Sequence, residues 1–136
     1  MTTIAWDGES LAADKNIYSD NSLCGKEKKI FKSGKDWITG TGNVEDIQAF
    51  MEWYKHGEKK PKITDDFQGV VLREDGRIFE YEGGLYAVEI KTPTAWGSGW
   101  EFALASMDHG CTAKEAIKYA TKRNVFTGGG VQVVKV

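Results

Sequence analysis

The stretch that decides the fold of this chain is MTTIAWDGESLAAD, which covers Met1–Asp14. Its pattern predicts a strand over Thr2–Trp6, a tight Asp-Gly turn, and a return strand over Ser10–Asp14. Thr2 follows Met1 directly, and the initiator methionine is usually removed when the next residue is small. Removal would place a hydroxyl and an α-amino group on one residue, which is a recognised way to activate a threonine nucleophile. An ordinary strand start is the alternative interpretation of the same residues.

The composition narrows the class of protein. The 136 residues suit a single domain with one core, so we expect one domain over residues 1–136. The net charge of -2 gives no basic field, which argues against nucleic acid as a partner. Cys24 and Cys111 are far apart and lack metal-ligand spacing, so we expect neither a disulfide framework nor a metal site. We see no membrane-spanning apolar run and no secretory signal, and we therefore expect a cytoplasmic protein without a membrane partner.

The middle of the chain predicts strands around one helix. Apolar residues recur at helical spacing from about Asn43, and Gly57 is a plausible C-terminal cap for that helix. We assign Glu58–Asp66 to a surface loop because it is polar and rich in lysine. The strands predicted on either side are Lys28–Lys32, Trp37–Thr41, Phe67–Leu72, Arg77–Tyr81 and Leu85–Ile90.

The last third predicts two helices and a final strand. Gly97-Ser98-Gly99 opens the first helix, and Gly110 ends it. A capping-box pattern from Thr112 to Glu115 begins the second, which runs to about Arg123. Val131–Val136 is the final strand. The order is strands, helix, strands, two helices and strand, which indicates an α+β fold with two antiparallel sheets between helices.

Five segments together resemble one family. The chain is similar to the proteasome β subunits and the bacterial HslV peptidase, which are N-terminal nucleophile (Ntn) hydrolases. The resemblance implies a four-layer αββα sandwich, and it spans nearly the whole chain, which is shorter than most family members in its middle loops. The matching segments, in the order of the family, are TTIAWDG…AADKN from Thr2, KKIF from Lys28, GTGNVED from Gly40, WGSGWEFALASM from Trp96, and NVFTGGGVQVVKV from Asn124.

The resemblance assigns roles to individual residues. It implies Thr2 as the nucleophile, Gly42 as the oxyanion-hole donor with Gly40 as the alternative, and Thr127 as a supporting residue. The remaining matches are Asp14 for the buried aspartate, Lys29 for the active-site lysine, and Ser98 for the serine that supports the α-amino group. Asn124 stands where β subunits commonly carry an aspartate, so it holds no negative charge, although its amide could hydrogen-bond Ser98.

These residue types suit amide hydrolysis. An ammonium at Lys29, kept protonated by Asp14, would lower the pKa of the Thr2 amine because like charges disfavour each other. The neutral amine could then take the hydroxyl proton, and the alkoxide would attack a carbonyl to give an ester. A backbone N–H at Gly42 would stabilise the oxyanion, a donor worth roughly 3 to 4 kcal/mol of barrier. Water activated by the same amine would release the product.

Each assignment has a simpler structural alternative. Asp14 could cap a turn, Lys29 could be one of several surface lysines, and Ser98 could be a helix N-cap.

The resemblance implies a threonine peptidase that acts on peptides or unfolded proteins without a cofactor. It also implies a homo-oligomeric ring. An AAA+ unfoldase would be a separate protein, because the chain has no GxxxxGK[ST] pattern. Two other functions stay open: an inactive structural or assembly subunit, and an amidohydrolase acting on small amides.

Overall fold

A computed structural model describes residues 2–19, 22–57 and 59–136 of the chain. These residues form antiparallel sheets and three helices, in the order predicted from the sequence. The elements are β1 (Thr3–Trp6), β2 (Ser10–Asp14), β3 (Asn16–Ser19), β4 (Ser22–Lys26), β5 (Phe31–Ser33), β6 (Asp36–Thr41), α1 (Val44–His56), β7 (Gln68–Leu72), β8 (Ile78–Tyr81), β9 (Val88–Ile90), β10 (Thr94–Gly97), α2 (Trp100–Asp108), α3 (Ala113–Arg123) and β11 (Val131–Lys135).

Two compact units make up the chain, and the first combines residues up to Lys29 with Lys91–Lys135. It holds a four-stranded antiparallel sheet in the order β10-β1-β2-β11, the β3–β4 hairpin, and helices α2 and α3. Every residue of β1 and β2 is buried. The side chains between these strands and the helices are mostly alanines, which let the helices lie close to the sheet. The cluster consists of Ala5, Ala12, Ala95, Ala103, Met107, Ala113, Ala116, Ile117 and Ala120.

Asp7 fixes the start of α3 against the turn between β1 and β2. Its carboxylate accepts the backbone N–H of Ala113 at 2.8 Å and those of Glu9 and Ser10 at 2.8 and 2.7 Å. Burial acts to raise the pKa of the Asp7 carboxyl, but the hydrogen bonds from Ala113, Ser10 and Glu9 outweigh it and hold that pKa below its ordinary value of 3.8. One side chain therefore ties the first hairpin to the last helix.

The second unit, Ile30–Ile90 with Val136, is a five-stranded antiparallel sheet in the order β5-β6-β7-β8-β9 together with α1. Asn43 caps α1 by accepting the Asp46 N–H, and Gly57 ends the helix in the left-handed conformation with φ 66°. Both ends agree with the prediction. The core of this unit is aromatic, in contrast to the alanines of the first unit: Ile38, Phe50, Phe67, Val71, Phe79, Tyr81 and Leu85.

Several predicted strand boundaries are wrong, and three strands were missed. The strand predicted over Lys28–Lys32 begins only at Phe31, because the backbone N–H of Lys29 donates to the Gln132 side chain and not to a sheet. The strand predicted over Leu85–Ile90 begins at Val88, since Leu85 has φ 56° in a turn. The missed strands are β3, β4 and β10.

The helices of the last third follow the prediction closely. Thr112 and Glu115 form the predicted capping box at the start of α3. In the predicted surface loop Glu58–Asp66, residue Glu58 lies outside the described residues, and the rest contains no helix or strand. None of the helices within the described ranges is long and apolar enough to cross a membrane. The single domain predicted over residues 1–136 stays a prediction.

Candidate functional site

Asp14 is the centre of the candidate site in the first unit. It ends β2, and it is fully buried with 0% of its surface exposed. Its Oδ1 accepts the backbone N–H of Thr3 at 2.9 Å and the Lys29 Nζ at 3.0 Å, and its Oδ2 accepts the Gly128 N–H at 3.2 Å. A buried carboxylate requires partners of this kind. All three partners are distant in sequence, so Asp14 joins separate segments and does not cap a local turn.

Lys29 is held inside the first unit and is not a surface lysine. Its side chain is 11% exposed and forms the ion pair with Asp14. Burial lowers the pKa of the Lys29 ammonium, and the Asp14 charge partly offsets that effect. The backbone N–H of Lys29 donates to Gln132 Oε1 at 2.9 Å. The backbone and the side chain of Lys29 are thus both held in place. The result is a cation beside the first residues of β1.

Thr2 lies next to Ser98 through a backbone contact. The Ser98 N–H donates to the Thr2 carbonyl at 3.1 Å, just beyond the pairing of β1 with β10. Gly97 makes this approach possible: it has φ 92°, and a Cβ there would lie 1.7 Å from the Thr2 carbonyl oxygen. Only glycine fits such a position. Removal of Met1, which the sequence predicts, concerns a residue outside the described ones.

Three hydroxyl groups meet beside Thr2. The Thr3 Oγ1 lies 2.8 Å from the Thr127 Oγ1 and 3.2 Å from the Ser98 Oγ, and it accepts the Gly99 N–H at 2.9 Å. Gly99, and not Ser98, is the N-cap residue of α2, and it makes no side-chain cap bond. Ser98 therefore does not serve as the helix cap that was its alternative interpretation.

Thr3 is the residue that the sequence interpretation missed. It is 0% exposed, and its hydroxyl is the centre of the cluster. The signal available was a hydroxyl residue in a strand, TIAW, whose other residues are all apolar.

Asn124 contacts Ser98 as predicted, but through the Ser98 backbone. Its Nδ2 donates to the Ser98 carbonyl at 3.1 Å. Its Oδ1 accepts the Phe126 N–H at 3.0 Å and the Thr127 hydroxyl at 3.1 Å. The NH₂ half of the amide thus joins the end of α3 to the segment before α2, and the oxygen half holds the loop that follows α3.

Gly42 and Gly40, the two candidates for the oxyanion donor, belong to the second unit. Gly42 follows β6 with φ 117°, and a Cβ there would lie 3.2 Å from the Phe67 Cα. Gly40 is inside β6, opposite Gly69, where a Cβ would lie 3.1 Å from the Gln68 carbonyl oxygen. Close backbone contacts within this unit explain both glycines, and the oxyanion role stays a prediction.

The first unit therefore brings five predicted residues and one more together around Thr2, the predicted nucleophile. A fully buried carboxylate, paired with an ammonium, accepts the backbone N–H that follows Thr2, and the Thr3 side chain lies in a cluster of hydroxyl and amide groups. A fixed positive charge lowers the pKa of a neighbouring amine. Hydroxyl groups can accept from such an amine or donate to it. The predicted residues brought together here are Asp14, Lys29, Ser98, Asn124 and Thr127, and the added one is Thr3.

Sequence comparison finds relatives that align with nearly the whole of this chain, although no protein-family model matches it. "Proteasome subunit beta 1" of Thermococcus kodakarensis is 30% identical over 169 aligned positions, covering 96% of this chain and 83% of that protein. "Proteasome subunit beta 1" of Thermococcus onnurineus is 28% identical with the same coverage.

Solved structures share the fold at low sequence identity. Thiobacillus denitrificans BPH superposes with a TM-score of 0.73 and 16% identity over 99% of this chain and 96% of its own, and its complex with epoxomicin gives 0.72 with 16% identity over 99% and 97%. HslV from Trypanosoma brucei gives 0.71 and 16% identity over the full length of both chains. These likenesses confirm the predicted α+β sandwich class.

Proposed function

Because this chain belongs to the proteasome β-subunit and HslV family of Ntn hydrolases, we propose that it is a threonine peptidase with Thr2 as its nucleophile. The observation that carries the proposal is the buried pair of Asp14 and Lys29, whose carboxylate also binds the N–H of Thr3. A buried ion pair is costly to build and is weak evidence for stability alone. A role in positioning charge beside Thr2 accounts for it.

The proposed reaction begins with removal of Met1, which frees the Thr2 amine. The Lys29 ammonium lowers the pKa of that amine, and Asp14 keeps the ammonium charged in its partly buried position. The amine takes the proton of the Thr2 hydroxyl, and the oxygen attacks a peptide carbonyl. The peptide C–N bond then breaks, and the Thr2 ammonium gives the same proton to the leaving amine. Water then hydrolyses the ester, with the same amine as general base.

Other parts of the proposal come from the family. We take the substrate to be a peptide or an unfolded protein, the assembly to be a homo-oligomeric ring, and any AAA+ unfoldase to be a separate chain in the cytoplasm. Gly42 is the proposed oxyanion donor. Light scattering tests the ring directly, since a species that stays monomeric across a wide concentration range contradicts it.

The first experiment is intact mass spectrometry of the purified protein before and after incubation with a peptide epoxyketone such as epoxomicin, the compound bound in the Thiobacillus protein. This reagent reacts with both the hydroxyl and the free amine of an N-terminal threonine. We expect loss of Met1 and one added probe. Thr2→Ala should abolish both labelling and peptide cleavage. Thr92→Ala, which changes an exposed threonine, is the control and should leave both intact.

Each other result points to a different function. Cleavage that survives Thr2→Ala excludes Thr2 as the nucleophile. A processed chain that takes up no probe, or one that retains Met1, indicates a structural subunit. Hydrolysis of small amides without peptide cleavage indicates an amidohydrolase.

A further inference from the structure

The Asn124 amide has one possible orientation, and this fixes the protons of the hydroxyl cluster. The Phe126 N–H can only donate, so the amide atom that it contacts at 3.0 Å is the Asn124 oxygen. The other amide atom faces the Ser98 carbonyl at 3.1 Å and must therefore be the NH₂ group. The Thr127 hydroxyl lies 3.1 Å from the amide oxygen, which has no proton to give. Thr127 is thus the donor in that contact.

The remaining protons follow by counting. The single proton of Thr127 is directed at Asn124, so in the 2.8 Å contact Thr3 donates to Thr127. The Thr3 proton is then used, and Thr3 also accepts the Gly99 N–H. In the 3.2 Å contact Ser98 must consequently donate to Thr3. The hydroxyl protons run in one direction, from Ser98 to Thr3 to Thr127 to Asn124.

We propose that Thr3 is a positioning residue that draws the Ser98 proton toward itself, so that the Ser98 oxygen faces the Thr2 amine only as an acceptor. The direction of the hydroxyl protons follows from the contacts of the cluster, whereas the role of the Thr2 amine rests on the proposed function. An amine acting as a base needs its lone pair free for the Thr2 hydroxyl proton. A Ser98 hydroxyl that donated to that lone pair would compete with the reaction. Thr3 prevents this competition by holding the proton on the opposite side.

The charged groups around the cluster do not change in this scheme. Asp14 on β2 contacts the Thr3 backbone, and Lys29 contacts Asp14. Glu101 in the first turn of α2 is exposed. Variants confined to the hydroxyl groups therefore report on hydrogen bonding to the amine, with these charges held constant.

The test uses the protein with Thr2 as its first residue and measures the pKa of the Thr2 amine by competitive acylation with acetic anhydride, which needs no catalysis. Thr3→Val removes the acceptor of the Ser98 proton. Thr127→Val removes the acceptor of the Thr3 proton. The Thr3 hydroxyl then donates to the Ser98 oxygen, so the Ser98 proton must point away from Thr3. Both changes let Ser98 donate to the neutral amine, and a hydrogen bond to the neutral form lowers the pKa. We expect a fall of about half a unit to one unit, the size of one exchanged hydrogen bond.

Thr3→Ser is the matched control, since it keeps the hydroxyl and should keep the pKa of the wild-type amine. The two valine variants should also lose roughly 10-fold or more in the rate of epoxyketone labelling, with Thr3→Ser close to wild type. An amine pKa that is the same in wild type, Thr3→Val and Thr127→Val overturns the inference, even if the valine variants are less stable. A wild-type protein that takes up no epoxyketone contradicts the proposed peptidase, whereas the amine titration still decides the role of Thr3. Thr127→Val keeps the test available if Thr3→Val does not fold.

Discussion

Replacement of Asp14 by asparagine changes the charge at the centre of the site with almost no change of shape. The carboxylate serves three donors, from Thr3, Lys29 and Gly128. The amide has one oxygen, so it can keep either the Thr3 and Lys29 side or the Gly128 side. On the other side the NH₂ group would face a donor. Asp14→Asn therefore removes the charge that balances Lys29 and leaves at least one buried N–H without an acceptor.

The expected loss follows from these two effects. Removing one partner of a buried ion pair costs about 3 to 5 kcal/mol, and the 11% exposure of the Lys29 side chain favours the lower end. A buried donor without a partner costs about 1 to 3 kcal/mol. The effects share one side chain and do not add fully. We expect Asp14→Asn to reduce the free energy of unfolding by about 3 to 5 kcal/mol at neutral pH.

The loss should also depend on pH with a definite sign. Without Asp14 the pKa of Lys29 falls further below its ordinary value of 10.5, because burial is no longer offset. The unfolded chain then binds more protons than the folded variant, so the stability of the variant rises with pH. The difference between wild type and Asp14→Asn should be larger near pH 7 than near pH 9.5.

Urea denaturation at the two pH values measures both effects. Asp108→Asn, an exposed carboxylate in the same unit, is the matched control and should change stability by less than about 0.5 kcal/mol. A loss for Asp14→Asn below about 1 kcal/mol would mean that the buried charge does not hold Lys29. An equal loss at both pH values would refute the account of the Lys29 ammonium.

Three further changes test other parts of the structure. Asp7→Asn should destabilise the protein at neutral pH. Because hydrogen bonds lower the pKa of Asp7, the stabilisation by its carboxylate is present above pH 3.8 and is lost below it, so the acid denaturation curves of wild type and variant should converge. Gly97 and Gly110 have nearly the same φ, 92° and 91°, so replacing either by alanine strains the backbone equally, but only at Gly97 would the new Cβ meet a carbonyl oxygen. In thermal unfolding, Gly110→Ala should lower the free energy of unfolding by about 1 to 2 kcal/mol, and Gly97→Ala should lower it by several kcal/mol more. Asn124→Asp places an oxygen against the Ser98 carbonyl, which disfavours the ionised carboxylate, so urea denaturation should show the variant losing stability relative to wild type as the pH rises above about 4. A variant whose stability relative to wild type is the same at pH 4 and pH 7 contradicts this geometry.

The sequence predicts this fold well where local signals agree with one another. The start of α1 is predicted by Asn43 with two acidic residues behind it, and the start of α3 by Thr112 with Glu115, because a capping side chain and its backbone partner are three residues apart. The end of α1 at Gly57 is equally local. Such contacts are contained in a short stretch of sequence and need no knowledge of the tertiary structure.

Strands that depend on distant partners could not be predicted in the same way. Every described residue of β4 is exposed, so it lacks the apolar alternation that marks a half-buried strand. The segment before β5 reads as a strand by composition, but the Lys29 N–H is taken by Gln132 from the opposite end of the chain. Tertiary contacts of this kind override local propensity.

The residues of the candidate site show the same contrast between signals in the sequence and contacts between distant residues. Thr2, Asp14 and Lys29 were predicted because the family resemblance places them, whereas Thr3 was missed because its hydroxyl contacts Thr127, 124 positions later. Its burial and its contact with Ser98 exist only once β1 pairs with β10.

Asn124 shows how a structure can change the meaning of a substitution. From the sequence alone, an amide at this position indicates the loss of a negative charge beside the amine. In the folded chain the position faces one acceptor, the Ser98 carbonyl, and two donors, the Phe126 N–H and the Thr127 hydroxyl. An amide satisfies all three contacts, whereas an ionised carboxylate would repel the carbonyl. The amide also gives the chain of hydroxyl protons its direction, because its oxygen can only accept. Asn124 is therefore compatible with the proposed peptidase site, in which the order of the protons, and not a second carboxylate, would set the environment of the Thr2 amine.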